Sequence, residues 1–311
     1  MAEKKERFWD SNQWVFTIII GGLILCGLAY FIIGNVTTLG IIEPQVYIIP
    51  VKGPIMLYGA GGLFDSEVAA ATDIVAEIEA ADRNPNIKAI ILEINTGGGT
   101  VVASKEIAAA VENADKPVVA WMREKAASGG YWVAASCDTI VADPATMTGS
   151  IGVIGSYLEF SGLFEEYGIK YERLVSAQYK DSGSPFKELT LSERALLMKK
   201  IDMINEMFIA HVSRTRHMET SQVRAIATGE VFLGVEAKEL GLVDVLGSKA
   251  EAIAAAEELA EIDDAEVIQY EKSAGLIERL LKTMSFQSYM IGRGMGDSMI
   301  DSEQEGFQIK S

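Results

Sequence analysis

Three short segments of the chain hold residue types that can do chemistry together. In Lys125-Ala126-Ala127-Ser128-Gly129-Gly130-Tyr131, a serine flanked by small residues closely follows the apolar run Val118–Met122. Small neighbours at a strand-to-helix turn expose a hydroxyl, and the free amides and positive dipole at a helix start suit an oxyanion. The plainer reading is that Ser128 caps the helix that follows. In Asn95-Thr96-Gly97-Gly98-Gly99, glycines close the run Ile87–Ile94. They let backbone approach a ligand and aim N–H groups at one point, or they simply make a tight turn. Ligand sites in open α/β sheets lie at such strand ends. A phosphate loop of the G-x-x-x-x-G-K-[ST] type is absent. In Ser176-Ala177-Gln178-Tyr179-Lys180-Asp181-Ser182-Gly183-Ser184-Pro185, a lysine sits in a loop. Lys180 is either a solvated charge or, if desolvated enough to be neutral, a general base.

Other chemistries have little material. The two histidines, His211 and His217, are six apart in one helical stretch. At about 100° per residue they point to different faces, so they make no metal pair there. Their scarcity also leaves little for a Ser-His-Asp triad. Cys26 lies in an apolar run and Cys137 in the folded body, which gives no disulfide framework. A net charge of −17 argues against nucleic acid, whose phosphates call for Lys and Arg, and against broad adhesion to anionic lipid.

These segments need a scaffold, and the chain is long enough to supply one. Its 311 residues are 49% hydrophobic and 23% charged, the balance of a globular protein with a core. Strand patterns fall at Val46–Val51, Ile87–Ile94, Val118–Met122, Thr139–Ala142, Ile151–Ile154 and Glu266–Tyr270. Helical patterns fall at Asp65–Ala81, from about Thr100 to Glu112, after Ser128, and at Leu191–Met218 and Ala250–Leu259. Such alternation predicts an α/β body with largely parallel pairing. Farther on, Leu276, Ile277, Leu280, Leu281 and Met284 line one side of an amphipathic helix. The end of the chain lacks an apolar pattern and reads as mobile.

Ahead of the body, Val15 to Gly34 is uncharged and apolar. Twenty residues at about 1.5 Å rise span about 30 Å, the thickness of a bilayer's hydrocarbon core. Trp9, Trp14 and Tyr30 lie near its ends, as interfacial aromatics do. Lys4, Lys5 and Arg7 precede it, and no Lys or Arg follows until Lys52, so the N-terminus is expected in the cytoplasm and the body outside. A cleaved secretory signal fits less well, because the run is long and no clear A-x-A site follows. The expected organisation is a cytoplasmic N-terminus (1–14), an anchor (15–36), a linker (37–45), a catalytic body (46–272) and a helix with a mobile tail (273–311).

Taken in order, the motifs resemble the signal peptide peptidase A family of serine proteases (SppA, peptidase family S49), relatives of the ClpP/crotonase-like fold. The strand-end motif corresponds to Asn95–Thr100, with Gly97 where the family has proline and Thr100 where it has a last glycine. Ala127–Tyr131 keeps the ASGGY nucleophile motif, and Thr148-Gly149-Ser150-Ile151-Gly152-Val153 keeps another. Lys180, Asp181, Ser184 and Pro185 match the lysine motif. Gly229-Glu230-Val231-Phe232 and Ala237 to Asp244 also fit, so the resemblance runs from about Val46 to Gly247.

The resemblance implies an α/β ClpP/crotonase-like fold behind an N-terminal transmembrane helix. It implies a serine endopeptidase with Ser128 as nucleophile and Lys180 as base, a variant of the triad logic that needs no cofactor and no metal. Gly99 and Gly129 become the oxyanion donors, Gly98 supports the turn, and Ser150 either orients the Lys180 amine or is a turn residue. It further implies a ring-shaped homo-oligomer, with Ser and Lys from neighbouring subunits. The substrates would be unfolded peptides: remnant signal peptides or damaged membrane proteins. Two other readings share the fold: a crotonase-like acyl-CoA hydratase or hydrolase, and a non-catalytic membrane-tethered scaffold. Neither requires the Ser and Lys motifs that this chain retains.

Overall fold

The computed structural model describes residues 18, 20–27, 43–59 and 68–270. The chain divides into two units, Met1–Gln269 and Tyr270–Ser311, and only Tyr270 of the second lies among the described residues. Residues 20–27 are helical, and among the described residues no helix is long and apolar enough to cross a membrane. Most of the expected anchor, the amphipathic stripe from Leu276 to Met284 and the tail lie outside the described residues.

One sheet organises the body. Its path runs β10 (Glu266–Gln269), β1 (Gln45–Lys52), β4 (Ile87–Thr96), β5 (Val118–Ala127), β6 (Thr139–Ala142) and β9 (Val245–Leu246), all parallel. β5 changes partner midway. Val119–Met122 pairs with β6, whereas Lys125–Ala127 pairs with β7 (Met147–Gly149), which in turn pairs antiparallel with β8 (Val231–Leu233). A small parallel pair, β2 (Ile55–Met56) with β3 (Ala69–Ala70), stands beside this sheet.

Both faces of the sheet are covered, which explains why IKAIILEI carries no polar alternation. Ile90, Leu92 and Ile94 face the larger core with Val118, Ala120 and Met122. That core is closed by α1 (Ala71–Arg83), α2 (Val101–Glu112), α3 (Gly129–Ala134) and the end of α5 (Leu191–Thr215). Ala89, Ile91, Val119 and Trp121 face the other way and meet Ala252 and Ala256 of α8 (Lys249–Ala260). Glu93, buried on a central strand, is held by Lys52 at 3.0 Å and Arg123 at 3.1 Å. The remaining helices are α4 (Ser161–Glu166), α6 (Thr220–Ile226) and α7 (Gly234–Glu239).

Three expected elements are corrected. The strand expected at Ile151–Ile154 is instead β7, ending at Gly149, because Gly149 (φ +75°) and Ser150 (φ +49°) leave the extended region. The helix expected over Asp65–Ala81 begins at Ala71, since Ala69 and Ala70 pair with Ile55 and Met56; residues 60–67 lie outside the described residues. The helix expected to run to Met218 ends at Thr215, where His217 takes φ +53° and Met218 N–H turns back to the Ser213 carbonyl at 3.0 Å. The capping box Thr190–Glu193 starts that same helix.

Candidate active site

The site is built where β4 and β5 end. Beyond β4 the chain turns on Thr96, whose hydroxyl accepts from the Gly98 amide at 3.0 Å. Gly98 has φ +100°, and a Cβ there would come within 2.7 Å of Gly129 N and 3.0 Å of Ser128 Cβ. Only glycine lets the two strand ends approach so closely. The turn is then stitched to β2: Ile55 N–H donates to the Gly98 carbonyl at 3.0 Å, and Thr100 N–H donates to the Ile55 carbonyl at 2.9 Å.

β5 delivers the serine. Thr148 pins the strand end by donating to the Ala126 carbonyl at 2.7 Å, and Ser128 N–H donates to the Gly149 carbonyl at 2.9 Å. Ser128 has φ 53° and ψ −120°, a backbone state that costs a non-glycine residue about 1–3 kcal/mol. It occupies the N-cap position of α3, yet its side chain makes no capping hydrogen bond. The hydroxyl is therefore spared the role that a serine at this position usually plays. It opens on a cleft of about 490 Å³ lined also by Gly97, Ser150, Gly152, Met198, Asp202 and Asn205.

Backbone donors stand beside it. The Gly98 amide is spent on Thr96, but among the described residues no turn, loop or cap hydrogen bond uses the Gly99 or Gly129 amide. Gly99 N lies 3.2 Å from where a Cβ on Gly129 would sit, so the two amides are close neighbours. A Cβ on Gly129 would also come within 2.3 Å of Ser104 Oγ, so Ser104 would have to turn away. A hydroxyl close to two such amides can attack a carbonyl and leave the resulting oxyanion hydrogen-bonded.

Ser150 lines the same cleft, with its N–H on the Glu230 carbonyl at 2.7 Å and its hydroxyl toward the Gly229 carbonyl at 3.4 Å. Lys180 is not part of that lining. It is exposed in the turn that follows Ala177. The structure thus brings Ser128, Ser150, Gly98, Gly99 and Gly129 together, without Lys180 of the same chain.

Sequence reasoning missed part of this wall. Met198, Ile201, Asp202 and Asn205 all face the cleft from α5. Their spacing of i, i+3, i+4 and i+7 is the signal that could have found them. Asn205 Oδ1 is buried there without a hydrogen-bond partner. An orphaned acceptor in the wall of the serine's cleft is suited to a substrate N–H.

Comparisons with known proteins agree with these motifs. The family described as Peptidase family S49 matches residues 110–263, and the N-terminal domain of NfeD1b matches residues 45–159. A protein of Methanocaldococcus jannaschii named as a protease is 32% identical over 247 residues, covering 78% of this chain and 78% of that one. A protein of Enterococcus faecium named signal peptide peptidase SppA is 32% identical over 234 residues, covering 74% of this chain and 68% of that one. Protease 4 of Haemophilus influenzae is 33% identical over 218 residues, and the match covers 69% of this chain but 35% of that longer protein. With its ASGGY motif intact and these matches across most of its length, the chain belongs to peptidase family S49, the signal peptide peptidase SppA family.

Proposed function

We propose that the chain is a membrane-anchored serine endopeptidase that cleaves unfolded peptides, remnant signal peptides or damaged membrane proteins among them. The observation that carries this reading is the Ser128 hydroxyl, left free of its cap, opening on a cleft beside two unspent glycine amides. Ser128 Oγ attacks the peptide carbonyl while a neutral Lys180 amine takes its proton and passes it to the leaving amine. The oxyanion rests on the amides of Gly99 and Gly129, and each such donor is worth about 10²–10³ in kcat. Gly98 holds the turn, and Ser150 receives the incoming lysine amine in the cleft.

The exposure of Lys180, which does not line the Ser128 cleft of its own chain, supports a dyad completed between subunits of a ring-shaped homo-oligomer. Exposed apolar side chains around both segments, including Ile154, Leu158, Leu174 and Leu191, suit a subunit contact. Exposed Ile18, Ile20, Leu23, Ile24 and Leu25 suit a helix surrounded by lipid, with the N-terminus cytoplasmic and the body outside. A fluorophosphonate probe tests the assignment on the full chain in detergent. Labelling should vanish in Ser128→Ala and fall sharply in Lys180→Ala. Equal labelling of both variants and the parent protein would overturn it.

A further inference from the structure

The turn that carries Lys180 is held by four charged side chains. Arg173 reaches Asp181 through two parallel contacts, Nε to Oδ2 at 2.6 Å and Nη2 to Oδ1 at 2.7 Å, and Nη2 also donates to the Gln178 carbonyl at 2.9 Å. Lys187 lies 3.9 Å from Asp181 and 2.6 Å from Glu193, at the start of α5. Ser182 Oγ adds a contact to Glu193 at 3.4 Å. Glu193 is 2% exposed, the only buried residue of the first four turns of α5, so a charge is anchored there rather than displayed. Aromatic rings close the same loop: Phe164 stacks on Phe186 at 5.4 Å, and Tyr171 tilts onto Phe186 at 5.6 Å. This loop has the construction of a mount, with its own ion network and a half-exposed aromatic cluster.

We propose that Arg173, Asp181, Lys187 and Glu193 form a charge-balanced clamp that positions Lys180 and cancels the carboxylate beside it; this rests on the reading of Lys180 as the base. The logic is electrostatic. A lysine must be neutral to take a proton from serine, and an uncompensated carboxylate next to it would favour its charged form. Asp181 is the adjacent residue. Two cations and two anions in the clamp sum to zero, so Asp181 no longer acts as a lone negative charge. Arg173 suits this task because its fork fixes the carboxylate in two directions, which an ammonium does not do. The hydrogen bond from Arg173 holds the Asp181 carboxyl below its ordinary range, and Lys187 with Thr190 draws Glu193 down to about 2. The clamp therefore keeps its charges throughout the working range of a peptidase. Tyr171, Lys187 and Glu193 are the titratable groups that face Arg173 and Asp181 from neighbouring segments.

The test compares full-chain variants in detergent, with kcat, KM and the acidic limb of the pH–rate profile measured on an unfolded peptide. Arg173→Gln leaves Asp181 under-compensated and should move the acidic limb upward by about half a pH unit. Asp181→Asn leaves surplus positive charge and should move it downward by a similar amount. Both should lower kcat by about tenfold or more, with KM little changed, because a loosened base is lost in the transition state and not in binding. Arg173→Lys keeps the charge and loses the fork, so its limb should stay at the parent position while kcat falls. Shifts of the same sign in Arg173→Gln and Asp181→Asn, or none in either, would overturn the clamp. Lys180→Ala separates the two ideas. If that variant retains full activity, both the base assignment and the clamp fall. If it is inactive while the acidic limb ignores Arg173 and Asp181, the clamp alone falls.

Discussion

The amide of Ser128 donates to the carbonyl of Gly149 at 2.9 Å, which ties the serine to the residue just before Ser150. Gly149 sits at φ +75°, and a Cβ there would meet Phe232 Cδ2 at 2.6 Å. The Gly149→Ala variant should therefore shift β7 and withdraw the carbonyl from Ser128. We expect the fluorophosphonate labelling rate to fall about 10–100-fold, since small displacements of a reacting group are expensive. A drop in melting temperature should accompany it. Unchanged labelling would mean that this hydrogen bond does not position the serine.

A dyad shared between subunits makes a quantitative prediction about mixtures. Ser128→Ala and Lys180→Ala proteins, each inactive alone, should regain activity when co-assembled from equal amounts. Random mixing gives an intact Ser–Lys pair at about a quarter of the sites in a closed ring. Peptidase activity of the co-purified mixture checks this, and a mixture as inactive as its components would place both groups in one chain.

His211 supplies a pH dependence of stability. It stacks on Trp132 at 5.0 Å and donates from Nε2 to the Trp132 carbonyl at 2.9 Å, while Arg214 and Glu112 face its Nδ1. Burial pushes its pKa below the ordinary imidazole value, against the raising effects of the Trp132 carbonyl and Glu112. A neutral form favoured by folding means that stability is complete above the unfolded value of about 6.5 and is lost as the pH falls below it. The melting temperature should thus drop between neutral pH and about pH 5. In His211→Gln that slope should flatten, whatever the variant's baseline.

Glu193 adds a reserve that is lost in the same direction, at a lower pH. With its carboxyl held at about 2 by Lys187 and Thr190, its contribution is present above the unfolded value of about 4.3 and fades only as the pH falls toward 2. Cleavage by an acid-active protease within residues 171–190 should be slow at pH 4.5 and become fast only in more acidic buffer. Early cleavage at pH 4.5 would contradict a loop braced by this carboxylate.

The central strands were legible in sequence because physics wrote them twice. Ile90 and Ile91 point to opposite faces of the sheet and both faces are dry, so an unbroken apolar run survives. The end of β5 was not legible. Arg123, Glu124 and Lys125 are exposed, and the strand continues past them because Lys125–Ala127 pairs with β7 and Ala126 with Thr96 of β4. The serine and its glycine turns could be read because close backbone approach admits few residue types. Asn205 could not, since an amide on a long helix resembles any solvated polar residue until the fold turns it inward. Lys180 was legible as a motif, but its distance from Ser128 within one chain depends on three-dimensional placement that no spacing encodes.

Helix α3 has six residues, all buried, and Trp132 within it stacks on Phe208 at 4.5 Å. So short a helix has almost no stability of its own. What keeps its first amide aimed is the crowd of side chains behind it. The accuracy of the bond-breaking machinery is thus borrowed from the oily interior. A methyl group deleted far from any peptide could blunt the enzyme as surely as a change at the hydroxyl itself.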